Sequence, residues 1–165
     1  MAEFTRAFPE IVYELLWESA TINAQAWRLG SVRYVRVYGG LVRNPNLTKP
    51  GLAVVLAHET GHHLGGPPSD PDMPWISWQG QADYWAARTA MPKVFGPQAC
   101  TMTLKGAQQI LTLHSQLACQ FEDDEPDLSP ECRYSILCSG ALGQELPTCA
   151  REAFLQLSGD IPPKI

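Results

Sequence analysis

Three of the four histidines in this chain fall within six residues, His58-Glu59-Thr60-Gly61-His62-His63. Their spacing, H-E-x-x-H, implies a specific chemistry. On a helix, His58 and His62 lie one turn apart and aim their imidazoles at a common point. Two neutral imidazoles converging there suit Zn2+, and the carboxylate of Glu59 can take a proton from a water that the metal polarises. Such a site needs a third protein ligand and an open position. Further along, Gln79-Gly80-Gln81-Ala82-Asp83 sets Gln79 and Asp83 one turn apart on one helical face, and both are candidates for that ligand. Tyr84, His114, His63 and Tyr134 are the candidates to stabilise an oxyanion.

These residues need elements to hold them. Phe4, Phe8, Ile11, Val12, Leu15, Leu16 and Ala20 recur at helical spacing, with Pro9 tolerable in a first turn, and predict an N-terminal amphipathic helix. The β-branched run from Val32 to Tyr38, stopped by Gly39-Gly40, predicts a strand whose edge could take up an extended peptide. A turn at Asn44-Pro45-Asn46 precedes a helix that starts at Thr48-Lys49-Pro50, carries the histidine motif and ends near Leu64 before Gly65-Gly66-Pro67-Pro68. A Pro/Asp-rich loop, Ser69 to Pro74, leads to Trp75 and Trp78, which could flank a cleft but more often anchor a loop or a core. A second helix is expected from Trp78 to Met91, closed by Pro92, and a third from about Leu104 to Phe121. The acidic run Glu122-Asp123-Asp124-Glu125 reads as a solvated loop, and a short helix is expected near Ala150 to Leu157.

Composition limits the functional classes. The length of 165 residues, 45% hydrophobic and 18% charged content describe one globular domain over 1–165, with a cysteine-bearing tail over about 100–165. A net charge of -5 argues against nucleic-acid binding, and no apolar run approaches a membrane span. Cys100, Cys119, Cys132, Cys138 and Cys149 contain no C-x2-C unit, so disulfides in an oxidising compartment explain them better than a zinc ribbon. Met1-Ala2-Glu3 does not begin a signal peptide, so a periplasmic or secreted location implies a leader already removed.

The pairing of H-E-x-x-H with the later Gln79-Gly80-Gln81-Ala82-Asp83 resembles the H-E-x-x-H and E-x-x-A-D pair of gluzincin metallopeptidases. It is closest to the soluble core of the HtpX-like and CAAX-endopeptidase-like group. Asn23-Ala24-Gln25-Ala26, Val37-Tyr38-Gly39-Gly40-Leu41 and Leu52 to Glu59 fit the same resemblance in the same order. The resemblance covers a core of about 20–92 and implies an α+β zincin-like domain: a small β-sheet, an active-site helix, a second ligand-bearing helix and, beyond that core, a disulfide-containing helical tail. It implies that His58 and His62 hold zinc, that Glu59 is the general base, and that Asp83 orients a ligand histidine. Gln79 falls where the family has its glutamate ligand. Three outcomes follow from that departure: Gln79 binds through its amide oxygen, Asp83 moves to the metal, or the metal is weak or absent and the chain is a catalytically weak or inactive zincin-fold binding module. The expected third ligand is Asp83, with Gln79 as the alternative. The activity implied is zinc-dependent hydrolysis of a peptide or protein substrate.

Overall fold

The run from Leu52 to Ala57, preceded by Pro50 in a first turn, drives the central element. In the computed structural model, which describes residues 1–70, 72–118, 128–151 and 155, helix α3 (Lys49–Leu64) is buried over most of its length. Ahead of it come helix α1 (Ala2–Ala7), strands β1 (Ile11–Leu16), β2 (Ala24–Leu29) and β3 (Val32–Tyr38), and the one-turn helix α2 (Gly39–Val42). After it come α4 (Gln79–Trp85), a π-helical turn (Ala86–Ala90), α5 (Met91–Phe95), α6 (Ala99–Ala118) and α7 (Pro130–Ala141). The architecture is α+β with a three-stranded mixed sheet in the order β1-β3-β2.

The N-terminal segment departs from its helical reading. The helix stops at Ala7, and Ile11 to Leu16 pair in parallel with β3. Pro9 breaks the helix instead of starting one, and the β-branched and aromatic Ile11, Val12 and Tyr13 fit a pleated surface better than a helical turn. The alternation sends Ile11 and Tyr13 to the covered face, where Tyr13 donates or accepts a 2.8 Å hydrogen bond with Thr60 of α3. Strand β3 is the middle strand, so it offers no free edge. The edges belong to β1 and β2, and β2 pairs antiparallel with β3 from Ala24↔Val37 to Leu29↔Val32.

Pro92 does not end the second helix. Helical structure continues to Phe95, with Pro92 in the first turn of α5, where its missing N–H is tolerated after the π-helical turn, and stops at Gly96 (φ +52°). Helix α6 begins at Ala99, ahead of the Leu104 start expected from periodicity.

Two glycines set how closely the helices approach. A Cβ on Gly106 would lie 2.5 Å from the Pro50 carbonyl oxygen, so α6 crosses α3 backbone to backbone. A Cβ on Gly61, inside the histidine motif, would lie 2.7 Å from the Ala82 carbonyl oxygen, which brings α4 directly against the motif. The main core gathers Phe4, Phe8, Ile11, Val35, Val37, Val54, Ala57 and Met91 between sheet and helices. A smaller cluster of Trp78, Leu128, Cys132, Ile136 and Ala150 joins α7 to the start of α4. The Cys132–Cys149 disulfide closes its outer side. Cys100 and Cys138 are free thiols, while Cys119, the acidic run and nearly all of the expected last helix lie outside the described residues. Among the described residues no helix is long and apolar enough to cross a membrane.

Candidate metal centre

His58 and His62 stack one turn apart on α3, with ring centroids 4.5 Å apart and planes at 78°. Each ring is held by its Nδ1. His62 Nδ1 donates to the Ser77 carbonyl oxygen at 2.8 Å, and the Ser77 amide returns a bond to the His62 carbonyl at 2.9 Å. His58 Nδ1 lies 2.7 Å from Asp83 Oδ1. An oxygen acceptor at Nδ1 fixes the proton there and leaves the Nε2 lone pair of each ring to face a ligand. The ligating atoms of His58, Glu59 and His62 all lie within 4.8 Å of one another, which is close enough to surround one ion. Burial, reinforced by the neighbouring His58, pushes His62 down to about 3, so its ring is neutral, as a metal ligand must be. The donor set therefore fits a divalent ion of the zinc type.

Glu59 is 8% exposed. Burial raises its pKa, partly countered by His58, Arg133 and the Ala26 amide of β2, which makes it a better proton acceptor than an exposed carboxylate. All three residues open into a cavity of about 410 Å3. One wall is the β2 edge with its lead-in, Ile22 to Ala26, and an opposite apolar wall is built from Val55, Ile110 and Leu113.

The remaining sequence candidates separate clearly. Asp83 is 1% exposed, and both of its carboxylate oxygens are engaged. Oδ1 meets His58 Nδ1 and accepts from Arg133 Nη2 at 3.1 Å, while Oδ2 accepts from Arg133 Nε at 2.7 Å. Burial by itself would raise the Asp83 pKa, but Arg133 and His58 outweigh it and hold the carboxyl well below the usual carboxylate range. Asp83 is therefore turned toward the back of His58 and is not one of the clustered ligating groups. Gln79, one turn earlier on α4, is exposed and lines the cavity, and so does His114 from α6.

The other oxyanion candidates point elsewhere. The Tyr84 hydroxyl donates to the Gln144 carbonyl at 2.7 Å, and Tyr84 does not line this cavity. His63 Nε2 donates to the Tyr34 carbonyl at 2.9 Å, and its ring stacks on Trp75 at 5.6 Å. Tyr134 packs against the main core. Trp75 is held between His63 and the guanidinium of Arg28, 4.8 Å from its ring, and so anchors the loop instead of lining a cleft. Trp78 is 3% exposed in the smaller core.

Sequence reasoning missed three participants: Ser77, the β2 strand and Arg133. Arg133 lines the cavity from α7 and lies 50 residues from the aspartate it grips. No local spacing connects them. Ser77 stands at the end of a loop, two residues before α4, and β2 has too few β-branched residues to declare itself. Comparison of the chain with protein-family models, with curated proteins and with solved structures finds no match.

Proposed function

We propose that this protein is a zinc-dependent peptidase of zincin-like fold, with His58 and His62 as metal ligands and Glu59 as the general base. The observation that carries this reading is the cluster of His58, Glu59 and His62 ligating atoms within 4.8 Å, opening into a cavity bordered by the free edge of β2. Zinc bound there supplies Lewis-acid polarisation of a water and of the substrate carbonyl.

The chain's own residues supply the rest. An extended peptide pairs with the β2 edge through its main chain, which lays successive residues past Glu59. An apolar side chain of that peptide packs against Val55, Ile110 and Leu113. Glu59, with its raised proton affinity, accepts a proton from the attacking water at its carboxylate and returns it to the leaving amine. His114 is the remaining oxyanion candidate on the cavity wall. Gln79, which also faces the cavity, is the third ligand through its amide oxygen, and Asp83 orients His58 from behind. The Cys132–Cys149 bridge supports an oxidising location, periplasmic or secreted.

A second reading is a zincin-fold binding module with little or no turnover. What favours it is the neutral amide of Gln79 where a carboxylate would strengthen the metal site, together with a cationic guanidinium in the same cavity. Metal analysis of the purified protein and cleavage of an unstructured casein-like substrate separate the two. A peptidase contains stoichiometric zinc, and Glu59→Ala keeps the zinc while lowering turnover by roughly 100- to 10,000-fold. Zinc with no turnover in the wild type identifies the binding module. Absence of zinc defeats the peptidase reading and leaves a binding module that keeps the fold without the metal.

A further inference from the structure

The geometry points to Arg133 as a positioning residue for the metal ligand His58, acting through Asp83 and never touching the metal. This inference rests on the reading of His58 and His62 as zinc ligands. The guanidinium grips Asp83 with two of its nitrogens, Nε to Oδ2 at 2.7 Å and Nη2 to Oδ1 at 3.1 Å. A two-point fork of this kind fixes the plane of a carboxylate, which one contact cannot do. With that plane fixed, Oδ1 stands 2.7 Å from His58 Nδ1 and engages it, which leaves Nε2 as the nitrogen available to a ligand. Arg133 Nη2 also lies 3.4 Å from both ring nitrogens of His58. Equal distances of that length describe a guanidinium lying beside the ring, not a directed hydrogen bond, so the directed contacts of Arg133 are those to Asp83.

Among the described residues, the side chains bonded to the buried Asp83 carboxylate are His58 and Arg133. Arg133 is itself delivered by a fixed turn. Ser129 caps α7 by accepting from the Cys132 amide, Pro130 starts the helix, and Cys132, the residue before Arg133, is tied to Cys149. A residue outside the motif helix and its partner α4 thus completes the support of one ligand.

Charge and positioning predict opposite signs, which makes the idea testable. A cation near a metal weakens metal binding, so a purely electrostatic Arg133 would give tighter binding once neutralised. A positioning Arg133 gives weaker binding. Zinc dissociation constants are to be measured by competition with a chromophoric chelator for wild type, Arg133→Lys, Arg133→Met, Asp83→Asn and the Asp83→Asn/Arg133→Met pair. Circular dichroism melts identify any variant that fails to fold. Both Arg133 variants are expected to weaken zinc by about 10- to 100-fold. The double variant should be no worse than Asp83→Asn alone, because the two residues act in series. Should Arg133→Met misfold, Arg133→Lys, which keeps the charge and loses the fork, carries the comparison. Unchanged or tighter zinc binding in the Arg133 variants, or additive losses in the double variant, overturns the inference while leaving the metal site standing. A wild-type protein that binds no zinc overturns both.

Discussion

His58 and His62 sit in identical positions of one repeat, yet their surroundings differ. His62 is anchored to a backbone carbonyl, which cannot rotate away, whereas His58 depends on a side chain, Asp83, that another side chain must hold. The consequence for the ligand set falls on position 79. A carboxylate there would face the cavity beside two imidazoles and add one negative charge to the site. Gln79→Glu is expected to tighten zinc binding by roughly an order of magnitude, measured by calorimetric titration. No gain in affinity would remove Gln79 from the ligand set. At this scale spacing alone paired His58 with His62 and Gln79 with Asp83 as candidates, because the helical repeat brings positions four apart onto one face. The direction of a single side chain was not legible in it. Tyr84 adjoins Asp83 in sequence but points to Gln144, since successive helical residues diverge by about 100°.

Two elements determine whether those side chains meet. Helix α4 lies against α3 because Gly61 leaves room for Ala82. Gly61→Ala puts a methyl group into the Ala82 carbonyl and pushes α4 away, at a cost of about 1–3 kcal/mol. The same shift moves Asp83 and Gln79, so thermal stability and zinc affinity should fall together; a variant that melts at the wild-type temperature with full zinc affinity would contradict this packing. Strand β1 is tied to α3 by Tyr13 and Thr60. Burial pushes the Tyr13 hydroxyl up to about 12, with Thr60 opposing and Glu10 assisting the rise. The unfolded chain therefore loses this proton from about pH 10 while the folded chain keeps it, so stability is complete below pH 10 and falls as pH rises toward 12. Tyr13→Phe removes one hydrogen bond at every pH but should flatten that alkaline decline in urea-unfolding free energies. An equally steep decline in the variant would assign it to other groups.

Across the whole molecule, a sheet of three strands and the helices around it share one core, while α7 is held by a smaller cluster and a covalent bridge. The bridge spans 17 residues. Closing a loop of that size is worth about 3 kcal/mol. Replacing Cys132 and Cys149 together by serine should lower the unfolding free energy by about that amount, read from urea titration. Because Arg133 adjoins Cys132, zinc affinity should decline in the same variant. An unchanged unfolding midpoint would show that α7 is held by packing alone.

By itself the sequence determined what local interactions determine. Helix α3 follows from the 3.6-residue repeat and its proline start, β3 from its β-branched run and the glycines that stop it, and the convergence of His58 and His62 from a single turn of helix. Partnership across the chain was decided only by tertiary structure. Ile11 to Leu16 satisfies a helical pattern as well as a pleated one, and the choice fell to β3, whose backbone groups needed a second partner. That pairing made β3 central and left β2 as the edge strand beside Glu59. Which cysteines join, and which distant arginine grips Asp83, likewise depend on contacts between segments far apart in sequence. Nothing in either segment's own composition encodes the distance to the other, so packing alone settles it.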